Sequence, residues 1–145
     1  MRTCKKAVSI LLIAAMMALM LAGCGGNSIA TENTGSSDYR VCMITDAGDI
    51  TDQSFNQTTY EACRDYCKAN NIDFTYKKPD GDTDYARTAM VDVAVAEGYN
   101  IIVMSGYVFA QTVVDTTFKY PDVKFIVLDM SASDVGAAAV GNAYY

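Results

Sequence analysis

Histidine is absent from this 145-residue chain, and that absence removes much of enzyme chemistry. Neither a Ser-His-Asp nor a Cys-His arrangement can be assembled without an imidazole, and a metal site loses its commonest nitrogen ligand. Basic residues are scarce: 11 Lys+Arg stand against 17 Asp+Glu, a formal net charge of −6. No basic stripe is available to neutralise phosphates, which argues against nucleic-acid binding. A membrane-spanning helix needs ~20 apolar residues, and no run reaches that length. The longest, Ala7–Leu21, has about 15 and follows Arg2, Lys5 and Lys6, the positive and apolar regions of a secretory signal.

Loops for phosphate and calcium are missing as well. After the first strand-like run, Asp46-Ala47-Gly48-Asp49 is acidic where a phosphate needs amides and positive charge. Asp46, Asp49 and Asp52 have the wrong spacing for an EF-hand loop; Asp80, Asp82 and Asp84 alternate correctly, but glycine is misplaced and Val91 replaces the bidentate glutamate.

What is present begins with an address. Leu21-Ala22-Gly23-Cys24 resembles a lipobox, small residues before a cysteine that is lipidated and becomes the first mature residue; the plainer alternative is an ordinary signal peptide with an incidental cysteine. Residues 1–24 are therefore expected to be a lipoprotein signal peptide ending at lipidated Cys24. Residues 25–38 are small and polar with one isolated Ile29, a composition that cannot bury enough surface to order itself. They read as a flexible tether with a reach of roughly 20 Å. Residues 39–145 are long enough for one domain with its own core and too short for two. Loss of the signal segment leaves 8 basic residues against 17 acidic, a net −9, which favours solubility and leaves attachment to the lipid.

Five cysteines divide by position. Cys4 leaves with the signal and Cys24 carries lipid, while Cys42, Cys63 and Cys67 belong to the folded part. A Cys42–Cys63 or Cys42–Cys67 disulfide is open to an exported protein; buried thiols acting as small hydrophobes are the plainer reading.

From Tyr39 onward strand and helix patterns alternate. Strands are predicted at Tyr39–Thr45, Ile72–Lys77, Asn100–Ser105 and Lys124–Asp129, with a fifth extended segment over Val135–Tyr145. Helices are predicted from Phe55 to about Ala69, from the Asp82-Thr83-Asp84 cap to about Glu97, and from about Val108 to Tyr120. In the first helix Phe55, Thr59, Ala62, Cys63 and Tyr66 share the expected inner face; in the second, Ala86, Ala89, Met90, Val93 and Ala94 do. Asn70-Asn71 and Gly98 supply helix stops. Short connections in a βαβ series imply an α/β fold, a Rossmann-like doubly wound parallel sheet. The chain stops at Tyr144-Tyr145 inside the last strand-like segment, which points to a truncated reading frame or a fragment.

In such a sheet, ligands sit beyond the carboxyl ends of the strands. Three strands end there in polar residues: Asp46, then Ser105-Gly106, then Asp129. Two carboxylates beside a glycine turn suit a neutral ligand rich in hydroxyl and N–H donors, such as a sugar or nucleoside, and would repel a phosphate. Phe55 opens the first helix at the same edge, where a ring can stack on a flat heterocycle; a core role is the alternative. Asn56 offers a donor and an acceptor for a base edge.

Asp46-x-Gly48-x3-Asp52-x-Ser54-Phe55-Asn56-Gln57, Asp82-Thr83-Asp84-Tyr85, Gly98-Tyr99-Asn100-Ile101-Ile102, Ser105-Gly106-Tyr107 and the run Tyr120–Asp129 together resemble the basic membrane protein family of bacterial lipoproteins. These are purine nucleoside receptors, the substrate-binding components of ABC importers. The resemblance covers nearly all of residues 39–145. It implies one lobe of a type I periplasmic-binding-protein fold, two Rossmann-like lobes closing on a ligand, with the second lobe absent from this sequence. It also implies ligand-binding roles at matching positions. Asp46 would hydrogen-bond the ligand, Phe55 would stack on the purine and Asn56 would contact its edge. Asp129 would accept from ribose hydroxyls, with Ser105 and Gly106 lining the floor. Tyr107 stands where the family often has phenylalanine. The implied partners are a purine nucleoside, an ABC permease and its ATPase, and the cell membrane, reached through the lipid on the extracytoplasmic face; no cofactor, metal, nucleic acid or catalysis is implied. A signalling or surface-interaction lipoprotein of the same fold is the alternative, and an enzyme using Asp46 and Asp129 as paired acids is a weaker one.

Overall fold

A computed structural model describes residues 37–136 and 141–145 of the chain. The expected signal segment, Cys24 and nearly all of the tether lie outside the described residues.

Five parallel strands form one sheet in the order β2-β1-β3-β4-β5: β1 (Arg40–Ile44), β2 (Asp73–Lys77), β3 (Ile101–Ser105), β4 (Lys124–Leu128) and β5 (Ala143–Tyr144). The register Ile44↔Met104 and Ser105↔Leu128 brings the ends of β1, β3 and β4 to one edge. Between the strands run α1 (Phe55–Ala69), α2 (Asp84–Ala96), a 3-10 turn (Tyr107–Phe109) continuing into α3 (Ala110–Thr117), and the one-turn α4 (Ala132–Val135). This is the doubly wound arrangement that the alternating pattern requires.

Side chains on alternate strand positions build two cores. Cys42, Ile44, Ile102, Met104, Phe125 and Val127 face α2 and α3, against Val91, Ala94, Phe109 and Val113. Val41, Met43 and Val103 face the other way, against Cys67 with Tyr60 and Cys63 of α1. Full burial of such side chains stabilises by roughly 1.5–3 kcal/mol each. Cys42 thus lies across the sheet from Cys63 and Cys67, and all three are free thiols, so the expected alternative of a Cys42 disulfide does not form. Burial pushes the Cys42 thiol up to about 12 and the Cys63 thiol to about 11.

Three expectations need correction. The inner face of α1 is rotated by one residue: Asn56, Thr59 and Cys67 are buried, while Phe55 and Tyr66 are 43% and 64% exposed and Ala62 is exposed too. The cause is the first turn, where the Asn56 amide is bonded inward to two carboxylates; each residue advances the helix by ~100°, so Phe55 turns out. In α2 the buried positions are Arg87, Val91 and Ala94, and Val93 is exposed, because Arg87 bonds Asp82 through Nη1 and Asp84 through Nη2 and seats the helix on that side. The segment Val135–Tyr145 is not one extended element. Ser131 and Asp134 form a capping box that winds Ala132–Val135 into α4, residues 137–140 lie outside the described residues, and only Ala143–Tyr144 pair as a strand. That short strand is anchored by Asn142, whose Nδ2 donates to the carbonyls of Tyr120 at 3.1 Å and Val123 at 2.9 Å.

Helices cover the two faces unequally. On the α1 side, β3 and β4 are partly open: Ile126 is 37% exposed, and a groove of about 450 Å³ runs over Val103, Ile126 and Cys63.

Candidate functional site

Two of the three strand ends leave the sheet at positive φ, at Gly106 after β3 and Asp129 after β4. After β1, Thr45 is fully buried and its N–H still donates to the Lys77 carbonyl at 3.0 Å, so the chain leaves the sheet at Asp46. The Asp46 carboxylate turns back on its own loop: Oδ1 accepts from the Gly48 N–H and from Asn56 Nδ2 at 2.8 Å. Oδ2 makes no hydrogen bond within the described residues. Asn56 is only 3% exposed. Its second amide hydrogen goes to Asp52 Oδ2 at 3.0 Å, and the buried Oδ1 has no partner. That orientation is dictated chemically, since flipping the amide would set its oxygen against two carboxylates.

Asp52 in turn is fixed through its other oxygen, which accepts from the Ser54 N–H at 2.8 Å and the Gln57 N–H at 3.2 Å. Desolvation opposes its ionisation, but these two N–H groups and the Asn56 amide outweigh it and hold the carboxyl below its usual range. It therefore caps α1 in place of Ser54, whose side chain makes no capping bond. Gln53, between them, adopts a left-handed φ of 53°.

After β3, Ser105 is 2% exposed with its Oγ unpartnered. Gly106 follows at φ 120° and ψ 150°, a region open essentially to glycine alone, and its N–H donates to the Leu128 carbonyl at 3.0 Å. After β4, Asp129 takes a left-handed φ of 59°, which aspartate tolerates. Backbone strain of this kind clusters where a ligand edge is being shaped.

Aromatic rings stand along the same rim. Phe55, Tyr85 and Tyr107 open the helical turns after β1, β2 and β3 and are 43%, 86% and 73% exposed. The structure thus brings Asp46, Phe55, Asn56, Ser105, Gly106 and Asp129 to one end of the sheet, with Phe55 outside the core and Asn56 turned inward. Sequence reasoning missed Arg87. Its guanidinium is 7% exposed, bonds Asp82 at 2.6 Å and Asp84 at 2.8 Å, and lies 5.9 Å from the Phe109 ring, so it ties the start of α2 to the turn after Gly106. Its spacing from the two acids was the available signal, masked by the apolar pattern around it. Asp52 was legible as a helix-opening residue but not as the partner of Asn56. Cys24 lies outside the described residues.

The edge offers carboxylate acceptors, small floor residues and a half-exposed ring. Among the described residues, no group of three or more His, Cys, Asp or Glu is placed to hold a metal ion.

A doubly wound sheet that gathers acceptors and an aromatic ring at its switch point is the construction of a small-molecule-binding α/β domain. Residues 39–144 match the family model described as ABC transporter substrate-binding protein PnrA-like, and the chain belongs to that family. Among its relatives, the "CD4+ T-cell-stimulating antigen" of Listeria innocua is 27% identical over 124 residues, covering 80% of this chain and 34% of that protein. The "ABC transporter nucleoside-binding protein BmpA" of Lactococcus lactis is 25% identical over 135 residues, 90% of this chain and 38% of the relative. The chain therefore spans about a third of the length of these curated relatives. Among solved structures, a solute-binding protein of an ABC transporter system from Conexibacter woesei superposes with a TM-score of 0.61 at 20% identity, over 72% of this chain and 33% of that one. A fragment of a putative lipoprotein from Peptoclostridium difficile gives 0.60 at 22% identity over 72% of this chain and 81% of its own. These likenesses establish the fold.

Proposed function

We propose that this chain supplies one wall of a purine nucleoside site in a lipid-anchored ABC-importer receptor, held at the extracytoplasmic face of the membrane through Cys24 and a flexible tether, and that it is not an enzyme. The observation that carries this reading is the placement of Phe55: a large ring at the strand-end edge, outside the core, beside an acid whose hydrogen-bonding geometry is already fixed. In this reading the ring stacks on the purine, Asp46 Oδ2 accepts from a ligand N–H or O–H, Asp129 accepts from ribose hydroxyls, and Ser105 and Gly106 form the floor. Asn56, expected at the base edge, is turned inward with its Oδ1 buried, and in this reading it serves the edge by holding Asp46 Oδ1. The Lactococcus relative is named as a nucleoside-binding protein, which supports the ligand class, and a permease and ATPase are the corresponding partners. Binding energy drives closure of an opposing wall over the ligand.

The test is an NMR titration of the 25–145 chain with guanosine, inosine and adenosine. Saturable shifts at Asp46, Phe55 and Gly106, in the millimolar range expected of a single wall, support the reading. No shift at these residues with any purine nucleoside overturns it. The surface-interaction alternative draws on the antigen name of the Listeria relative; it predicts that nucleosides leave the edge untouched.

A further inference from the structure

Asp52 sits behind the edge, and its bonds run in one direction. Its Oδ1 is locked by the Ser54 and Gln57 N–H groups. That leaves Oδ2 aimed at Asn56 Nδ2, at 3.0 Å. The other hydrogen of the same amide bonds Asp46 Oδ1 at 2.8 Å. Asn56 is buried and its Oδ1 lacks any partner, so the amide gains nothing from this pose except its two carboxylates. A lone carboxylate already selects the NH2 end of the amide but leaves its second hydrogen unplaced. Two carboxylates on opposite sides of one NH2 leave a single orientation.

We infer that Asp52 is a positioning and specificity-determining residue, which orients Asn56 and through it the Asp46 carboxylate, so that the β1 edge presents acceptors only. Oδ1 of Asp46 is consumed by Gly48 and Asn56, and Oδ2 is left for the ligand. The ligand group selected at this corner is therefore a donor, an N–H or O–H, and a bare ring nitrogen or carbonyl is disfavoured. The specificity half of this inference rests on the nucleoside reading above; the positioning half does not.

D52N separates the two duties of the residue. An asparagine oxygen still caps Ser54 and Gln57, while its NH2 would face the Asn56 NH2 and break the bond. In the 25–145 chain, the Asn56 side-chain amide hydrogens are expected to be protected from exchange and to lose that protection in D52N. The Gly48 N–H, which reports the direction of Asp46, should shift in D52N and in N56A, with no further shift in the double variant. Unchanged Asn56 protection in D52N, or Gly48 shifts that add in the double variant, overturns the inference. D52S, which also caps, replaces D52N should the latter unfold. With nucleoside, D52N should bind guanosine about tenfold more weakly, the loss of one charge-assisted hydrogen bond, while adenosine, which has no ring N–H, loses less. Equal losses overturn the specificity role. Should no nucleoside shift the edge of the wild-type chain, the functional reading fails and the Asn56 and Gly48 signals still decide whether Asp52 positions Asp46.

Discussion

Gly48 is held to its identity by proximity. A Cβ built there would stand 2.5 Å from Asn56 Nδ2 and 2.7 Å from Asp46 Oδ1, whereas at Gly81 it would meet nothing within 4 Å. Neither group can retreat, because each is bonded to the other and to the loop. G48A is expected to cost about 1–3 kcal/mol by forced displacement and, on the nucleoside reading proposed above, to abolish ligand-induced shifts at Asp46. G81A should leave stability unchanged or raise it by about 0.4–1 kcal/mol by narrowing the unfolded ensemble. Denaturant midpoints of the two variants check the contrast, and equal midpoints would refute it. Phe55 makes the opposite case, a large apolar side chain whose removal the fold should hardly notice. F55A is expected to change stability by no more than about 0.5 kcal/mol and, on the nucleoside reading proposed above, to weaken binding by ~1–3 kcal/mol, the worth of one stacked base. A large drop in melting temperature would return Phe55 to the core.

Among the elements, β4 shows how a strand pattern hides which face is covered. Phe125-Ile126-Val127-Leu128 reads as an unbroken apolar run, yet Phe125 and Val127 are buried under α3 while Ile126 is 37% exposed on the side α1 does not reach. V127A should therefore cost about 2–3 kcal/mol and I126A less than about 1 kcal/mol; in thermal unfolding each kcal/mol is worth roughly 4–8 °C for a domain of this size. Similar costs would mean that something covers Ile126. The same limit explains what was legible. The existence and order of β1 to β4 and of α1 to α3 follow from periodicity and from stops such as Asn71, at φ 53°, and Gly98, at φ 88°. The strand-end residues of the site follow from topology, since parallel strands must finish at one edge. The phase of α1 did not follow, because an asparagine was decisive there: Asn56 is buried for its two hydrogen bonds, and hydropathy counts it as outside. Arg87 escaped for the same reason in α2. The capping box of Ser131 and Asp134 turned a strand-like stretch into a helical turn, and a one-turn element has too short a period to detect.

For the molecule as a whole, the two cores share one chemical weakness, their thiols. Cys42 lies in the core beneath α2 and α3 and Cys63 beside the core beneath α1, and desolvation raises both above the usual thiol range, Cys42 to about 12. An acid whose pKa is higher folded than unfolded holds its proton in the native state after the unfolded chain has released it. The native fold therefore keeps the full contribution of the neutral thiol below about pH 9 and loses it as pH climbs toward the folded value. For Cys42 the loss is about 1.4 kcal/mol per pH unit across that window. Tyrosines and lysines titrate in the same range, so the wild-type curve alone does not isolate the thiol. C42V keeps nearly the same volume and has no proton to lose. Urea unfolding of wild type and C42V at pH 8 and pH 10.5, under reducing conditions, should show wild type losing roughly 2 kcal/mol more than the variant between the two pH values. Parallel losses would mean that Cys42 reaches solvent in the native state, and that the core under α2 and α3 is looser than its buried side chains indicate.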